Sequence, residues 1–409
     1  MSSEHVIKNK NGYFGEKIVS WMYKRLLQVS SGSIRINIGN KTYSHTSETS
    51  GLQADMTIHK PLAMARRCAA RGDLGFAESY MAGEWSSSNL DTLLQQLLRN
   101  DQSIKYSAMR NGIRRLSARI FHRLKTNSIS GSRKNIAYHY DLGNSFYETW
   151  LDPSMTYSAA LFESENRSLQ QAQAAKNARI LKQLNANTGA SVLEIGCGWG
   201  GFMQAAAEQG LHVHGITLSE EQHSYAQQRL KNFEPAPHVE IRDYRNIEQR
   251  FDHIVSIEMF EAVGEAWWPT YFSSLSKYLK PGGSAVLQVI TIKEDLFEKY
   301  RKYPDFIQRY IFPGGMLPTK TSLDHLCSDA NLEVTDRFSF GKDYGKTLEQ
   351  WHQNFDARTH QLDKQQYDQR FIQMWKYYLS YCRAGFNEGT IDVVQYTLKK
   401  PEVTGSSGA

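Results

Sequence analysis

Cysteine is scarce in this 409-residue chain. There are four, Cys68, Cys197, Cys327 and Cys382, with no CxxC and no paired spacing. That pattern excludes a disulfide framework and a cysteine-built zinc site, and no metal is expected. Long apolar runs are missing too: none approaches the roughly 20 residues that cross a bilayer. Met1 to Asn11 is polar and lacks the apolar centre of a secretory signal, so a cytoplasmic protein is expected. Acidic residues vanish between Gln102 and Tyr140, where nine Lys or Arg fall. A stretch of one sign suits an anionic membrane surface or another polyanion. In it Ile113, Leu116, Ile120, Phe121 and Leu124 share one helical face, and Arg110, Arg114, Arg115, Arg119 and Arg123 line the rest. This is the pattern of a basic amphipathic helix lying on the inner face of a membrane. It is not interleaved with stacking aromatics, and nucleic acid is not an expected partner.

What is present is enough for two cores: 40% of the residues are hydrophobic and 12% aromatic. Residues 13–30 have helical apolar spacing. Ser33 to Ile38 alternates apolar and polar and meets Gly39-Asn40, a hairpin signal, and Ala54 to His59 reads as a further strand. Residues 61–99 read as helices broken at Arg71-Gly-Asp73 and Met81-Ala-Gly83. A small α+β domain is therefore expected over 1–100, and a basic helix and linker over 101–134. From 135 to 400 helices alternate with short apolar strands at 191–195, 211–217, 238–242, 252–258 and 284–291, the pattern of a doubly wound, Rossmann-like α/β domain with a parallel sheet. Helical insertions rich in aromatics follow, and 401–409 reads as a disordered tail.

The densest signal is Val192-Leu-Glu-Ile-Gly-Cys-Gly-Trp-Gly-Gly201. A buried strand runs into a glycine loop and then a helix, so backbone can approach a ligand closely. The spacing E-x-G-x-G lacks the Gly-Lys-Ser/Thr of a phosphate loop and is not a clean G-x-G-x-x-G. It favours S-adenosyl-L-methionine, which has no phosphates, over a dinucleotide. The plain alternative is a glycine turn in a structural βαβ unit.

Several ordered segments together resemble the cyclopropane-fatty-acyl-phospholipid synthase family, which includes mycolic acid methyltransferases. They are His139 to Tyr147, Leu151 to Ser158, Val192 to Gly201, Gly215 to Gln222, Asp243-Tyr-Arg245, Met259 to Gly264, Leu279 to Gly283 and Tyr310 to Gly315. Residues 33–99, with Gly72 to Met81, are also similar to that family's N-terminal lipid-binding domain. The resemblance implies a class I methyltransferase fold and a substrate with a cis double bond in an acyl chain of a membrane phospholipid. It implies that Tyr157 and Ser158 close on the methionine end of the cofactor and that Gly196 and Gly198 floor its loop. Thr217, Leu218 and Gln222 would meet ribose and carboxylate. Asp243 and Tyr244 would flank the adenine, with Ile257 over it. The separate N-terminal domain leaves room for a homodimer.

Methylation of an alkene leaves a carbocation, which aromatic faces stabilise; Tyr140, Tyr157, Tyr344 and Phe260 are the candidates. A base must then take a proton. In the family, the resemblance implies, a bound bicarbonate does so, held by a cysteine, a glutamate, a histidine, an isoleucine backbone and a tyrosine. Here the glutamate is Glu261, the isoleucine Ile290 and the tyrosine Tyr344. The cysteine position is Ala159, the histidine position Gln288, and the residue after the glutamate is Ala262. Alanine has no side-chain donor, and glutamine cannot carry imidazole's charge. Weak retention of bicarbonate follows, with Glu261 as base or water holder, and either a methyl-branched alkene or a cyclopropane as product. A methyltransferase for a small metabolite or RNA, and a non-catalytic lipid-binding protein, remain the alternatives.

The basic segment is expected to bind anionic vesicles, each cation contributing about 1 kcal/mol near the surface, with binding that weakens as salt rises. Arg114→Glu with Arg115→Glu should cut co-sedimentation. Sedimentation equal to that of the parent protein would remove this helix from the account.

Overall fold

The computed structural model describes residue 29 and residues 31–101 and 142–402. The expected helix over 13–30 apart from Val29, nearly all of the basic segment, Tyr140 and most of the tail lie outside the described residues. Two compact units emerge: residues 1–110 with 363–388, and residues 111–362 with 389–409.

In the first unit the alternation at 33–38 yields β1 (Ser33–Ile38), and the Gly39-Asn40 turn leads into antiparallel β2 (Lys41–Thr46). Strand β3 (Gln53–Ile58) pairs parallel to β1, and β4 (Trp85–Ser86) completes a sheet of order β2-β1-β3-β4. Ile34, Ile36, Met56 and Ile58 turn inward because side chains alternate faces along a strand. Helices α1 (Pro61–Arg71), α2 (Asp73–Met81) and α3 (Leu90–Asp101) follow. The break between α1 and α2 is Gly72, at φ 58°.

The second unit begins with the short α4 (Asn144–Glu148) and α5 (Leu169–Leu184), then alternates: β5 (Ser191–Ile195), α6 (Gly201–Ala207), β6 (His212–Thr217), α7 (Glu220–Leu230), β7 (His238–Ile241), β8 (Phe251–Ile257), α8 (Trp268–Tyr278) and β9 (Leu279–Ile292). Helices α9 (Glu294–Lys302) and α10 (Lys320–Asp329), strand β10 (Glu333–Ser339) and helix α11 (Gly341–Arg358) come next. After α12 (Gln369–Asn387), which belongs to the first unit, the chain ends its sheet with β11 (Ile391–Lys399). The sheet order is β10-β11-β9-β8-β5-β6-β7. Strands β5 to β9 are parallel, as expected; β11 is antiparallel to both neighbours.

Alternate residues of the parallel strands feed opposite cores. Val192, Val213, Val255 and Val286 pack under α5, α6 and α7. Leu193, Ile254, Ala285 and Leu287 pack under α8 and α10 with Trp268, Tyr271 and Phe272. The chain leaves β5 for β6 and β7 on one side and returns to β8 on the other. That reversal makes the crevice at the carboxyl ends of β5 and β8 the natural ligand site of an open α/β sheet.

Three sequence expectations need correction. Strands β10 and β11 lie where only helical insertions were expected, because their pattern is masked by flanking aromatic helices. The strand expected over 284–291 begins earlier and runs through Pro281-Gly-Gly283: β9 pairs with β8 at Leu279, bulges, and resumes at Ser284. Residues 363–388 do not group with the second domain. Helix α12 packs on α2 and α3 of the first unit, where Arg383 pairs with Asp91, and Glu388 accepts from Gln95 (2.6 Å) and Arg99 (2.7 Å).

Gly75 sits where α2 meets α1, and a Cβ there would lie 2.1 Å from the Arg67 carbonyl oxygen. Backbone cannot yield as a side chain does, so Gly75→Ala should destabilise the first unit by about 1–3 kcal/mol. Urea unfolding checks this; an unchanged midpoint would mean that the helices do not meet so closely.

Candidate active site

The parallel strands end on one edge, and the sequence places its chemical residues there. After β5, Gly196, Gly198 and Gly200 adopt φ of 84°, 52° and 79°, conformations that L side chains resist. A Cβ on Gly196 would stand 2.8 Å from Met259 Cγ, whereas one on Gly198 would meet nothing within 4 Å. The loop is thus closed on one side and open on the other, as a cradle for a ligand's backbone contacts requires. It is braced by Trp199, whose indole N–H donates to Asn144 (2.7 Å), and by Arg229, which donates to the carbonyls of Trp199 and Ser154.

After β6, Thr217 and Gln222 are buried, and the threonine hydroxyl donates to the Gln222 side-chain oxygen at 2.8 Å. Ser219 caps α7 by accepting from the Gln222 N–H. This pair shapes the turn that carries half-buried Leu218. After β7, the Asp243 carboxylate is gripped by Arg245 through Nε (2.8 Å) and Nη2 (2.7 Å). Tyr244 turns into the core against Tyr271, its hydroxyl pushed up to about 12 by burial. Ile257, at the end of β8, is half-buried.

Tyr157 and Ser158 approach from the segment before α5. Tyr157 stands 5.3 Å from the rings of both Trp150 and Trp351 and 5.6 Å from Tyr147. Tyr344 joins the same aromatic group, 6.0 Å from Trp351. Phe260 does not. It is buried among Trp268, Tyr271 and Phe272, so its ring face serves the core and the expectation that it stabilises a cation is corrected.

The sequence reading missed two residues. Lys176 is fully buried on α5 and donates to Ser158 Oγ at 3.1 Å. Burial pulls its ammonium down to about 8 against the opposing pull of Glu258, Glu194 and Asp152. Its signal was a lysine in step with Ala172 and Ile180 on the apolar face of α5. The second is Glu258, read only as the end of a strand. Its Oε1 accepts from the Ala159 N–H (2.8 Å) and from Gln288 Nε2 (2.7 Å), and its Oε2 accepts from the Tyr344 hydroxyl (2.6 Å). It sits at φ 51°, a left-handed conformation costing about 1–2 kcal/mol for a residue with a Cβ. Such strain persists where surrounding contacts over-determine it.

Glu261 lies three residues on. One of its oxygens accepts from the Ile290 N–H, and its carbonyl accepts from Met316 N–H at 2.8 Å. Its Oε2 is sealed from solvent and has no hydrogen-bond partner. Burial, helped by the neighbouring Glu258 charge, pushes Glu261 up to about 8. Burial also raises Glu258, against the pull of its donors and of Lys176.

The geometry agrees with the comparisons. The family model for mycolic acid cyclopropane synthetase matches residues 127–396. Tuberculostearic acid methyltransferase UfaA1 of Mycobacterium tuberculosis is 38% identical over 351 residues, covering 83% of this chain and 82% of the relative. Cyclopropane-fatty-acyl-phospholipid synthase of Escherichia coli is 34% identical over 353 residues, covering 85% and 88%. A crystal structure of mycolic acid cyclopropane synthase CmaA1 complexed with SAH and CTAB matches with a TM-score of 0.62 and 32% identity, covering 66% of this chain and 98% of that one. Coclaurine N-methyltransferase, at 18% identity and a TM-score of 0.59, shares the fold. With its glycine loop, its strand order and a carboxylate-bearing crevice at the sheet edge, the chain belongs to the mycolic acid cyclopropane synthetase family and is an S-adenosylmethionine-dependent methyltransferase.

Proposed function

We propose that this enzyme methylates the cis double bond of unsaturated fatty acyl chains in membrane phospholipids, giving a methyl-branched unsaturated or a cyclopropane chain. The observation that carries this reading is the pairing of two buried carboxylates, Glu258 and Glu261, with an aromatic group that includes Tyr157 and Tyr344. An alkene acceptor needs both parts: ring faces for a cation and an oxygen base for a proton. The names of the relatives from Mycobacterium tuberculosis and Escherichia coli support a lipid substrate.

When bound, S-adenosylmethionine supplies an electrophilic methyl group. Gly196 and Gly198 would floor its site, and Tyr157 and Ser158 would close its methionine end. Thr217, Leu218 and Gln222 would face ribose and carboxylate, and Asp243, the Tyr244 backbone and Ile257 the adenine, since the Tyr244 ring is turned into the core. Aromatic walls exclude water that would quench the substrate cation. No helix among the described residues is long and apolar enough to cross a membrane. Access to phospholipid therefore rests in this reading on the N-terminal unit, as a lipid-binding domain, and on the basic segment as a peripheral anchor.

Expression in a host rich in monounsaturated phospholipid should yield acyl chains heavier by one CH2 on gas chromatography–mass spectrometry. Mild catalytic hydrogenation separates the branched alkene, which is reduced, from the ring. An unchanged fatty-acid profile, with labelled methyl in some other acceptor, would overturn the substrate assignment. Gly196→Val places branched carbon against Met259 in a conformation that resists a side chain. It should weaken S-adenosylmethionine binding by about tenfold or more, or about 1.4 kcal/mol, while the protein stays folded. Calorimetry reads this, and an unaltered affinity would place the cofactor elsewhere.

A further inference from the structure

The positions that the family resemblance assigns to a bound bicarbonate do not fit one here. The Ala159 N–H, the Gln288 amide and the Tyr344 hydroxyl are all committed to Glu258, and the Ile290 N–H is committed to Glu261. A second anion would have to displace Glu258 from three of these groups and Glu261 from the fourth.

The direction of the hydrogen bonds is fixed from outside the site. Arg179 on α5 has only donors, and its Nη1 donates to Gln395 Oε1 at 2.9 Å. Gln395 must then turn its amide nitrogen to Gln288, which it reaches at 3.0 Å. Gln288 in turn must present its own nitrogen to Glu258, at 2.7 Å. The two glutamines are directly opposed on β11 and β9 and fully buried, so neither has water as an alternative partner. A donor-only cation at one end therefore demands an acceptor at the other. The backbone repeats the lock: the Glu258 N–H donates to the Gln288 carbonyl at 2.8 Å.

We propose that the Glu258 carboxylate is this enzyme's built-in replacement for an external bicarbonate, and that it is the group that takes the proton from the methylated substrate cation. The proposal rests on the alkene-methylation reading above. A new C–C bond forms as the sulfonium S–CH3 bond breaks, leaving positive charge on the neighbouring carbon. A C–H bond next to that carbon, or on the transferred methyl, then breaks. Its electron pair closes the alkene or the ring, and its proton goes to Glu258. Oε2, which accepts one bond against two at Oε1, is the oxygen with room for it. Glu261 occupies the Ile290 N–H, so that donor too is closed to an external anion.

Glu258→Gly tests this, because glycine accepts the left-handed backbone and leaves three donors facing a hole. In CO2-free buffer wild-type protein should turn over at full rate, and its cofactor-free form should show no binding of 13C-labelled bicarbonate or formate by NMR. The Glu258→Gly protein should lose about 100-fold in rate, bind formate or bicarbonate in the cofactor-free state, and regain activity as either is added. Wild-type protein that binds bicarbonate and depends on it would overturn the proposal. So would a folded Glu258→Gly protein that keeps the full rate, or one that neither binds nor is rescued by either anion. If wild-type protein methylates no acyl chain, the substrate reading falls. The binding comparison on cofactor-free protein still decides whether Glu258 fills the anion site.

Discussion

A carboxylate taken out of water must be met by donors, or it costs more than the fold can offset. In the second unit that requirement ties together four distant stretches of chain. Glu258 at the end of β8 draws the Ala159 N–H from the segment before α5, Gln288 from β9 and Tyr344 from α11. The segment bearing Ala159 is held by α11 in turn, since Ala160 N–H donates to Thr347 and Phe162 N–H to Asp343. Through Gln395 the same polarity runs to Arg179, whose other nitrogen pairs with Asp336 at 2.6 Å. Low dielectric strengthens each of these bonds and makes each hard to omit.

Lys176 offsets this negative charge. It is buried with Ser158 Oγ in reach and feels both Glu258 and Glu194, the latter raised well above the ordinary carboxylate range by burial. Strand β5, the Tyr157-Ser158 segment and the Glu258 pocket are thus coupled by one cation. A change at Lys176 would reach both the glycine loop and the proposed proton acceptor, although it belongs to no motif that the eye picks from the sequence.

The two units divide the chain unevenly. Helix α12 leaves the second unit after residue 362 and returns to the first, where its polar residues pair with α3, before β11 completes the other sheet. The polypeptide therefore passes between the units at both ends of α12 as well as through the stretch after α3. The sheet that carries the site is completed by a strand that follows this excursion. Composition along a sequence registers neither pairing, because the partners are nearly 300 residues apart.

Local pattern determined much of this protein. The glycine loop, the β5-to-β9 alternation, the N-terminal hairpin and the helix breaks follow from periodicity and turn chemistry within short windows. Glu261, Gln288, Tyr344, Tyr157 and Ser158 could be named from ordered motifs, and the loss of cysteine and histidine at Ala159 and Gln288 was visible residue by residue. Tertiary structure alone decided what those losses mean. Glu258 looked like the last residue of a strand, Phe260 like a ring beside the chemistry, and Gln395 like nothing in particular. Hydrogen-bond partners are set by the register of β9 against β11 and by a left-handed turn after β8, and neither is written in spacing along the chain. A sequence shows which groups can donate or accept; only the fold shows which group they are pointed at.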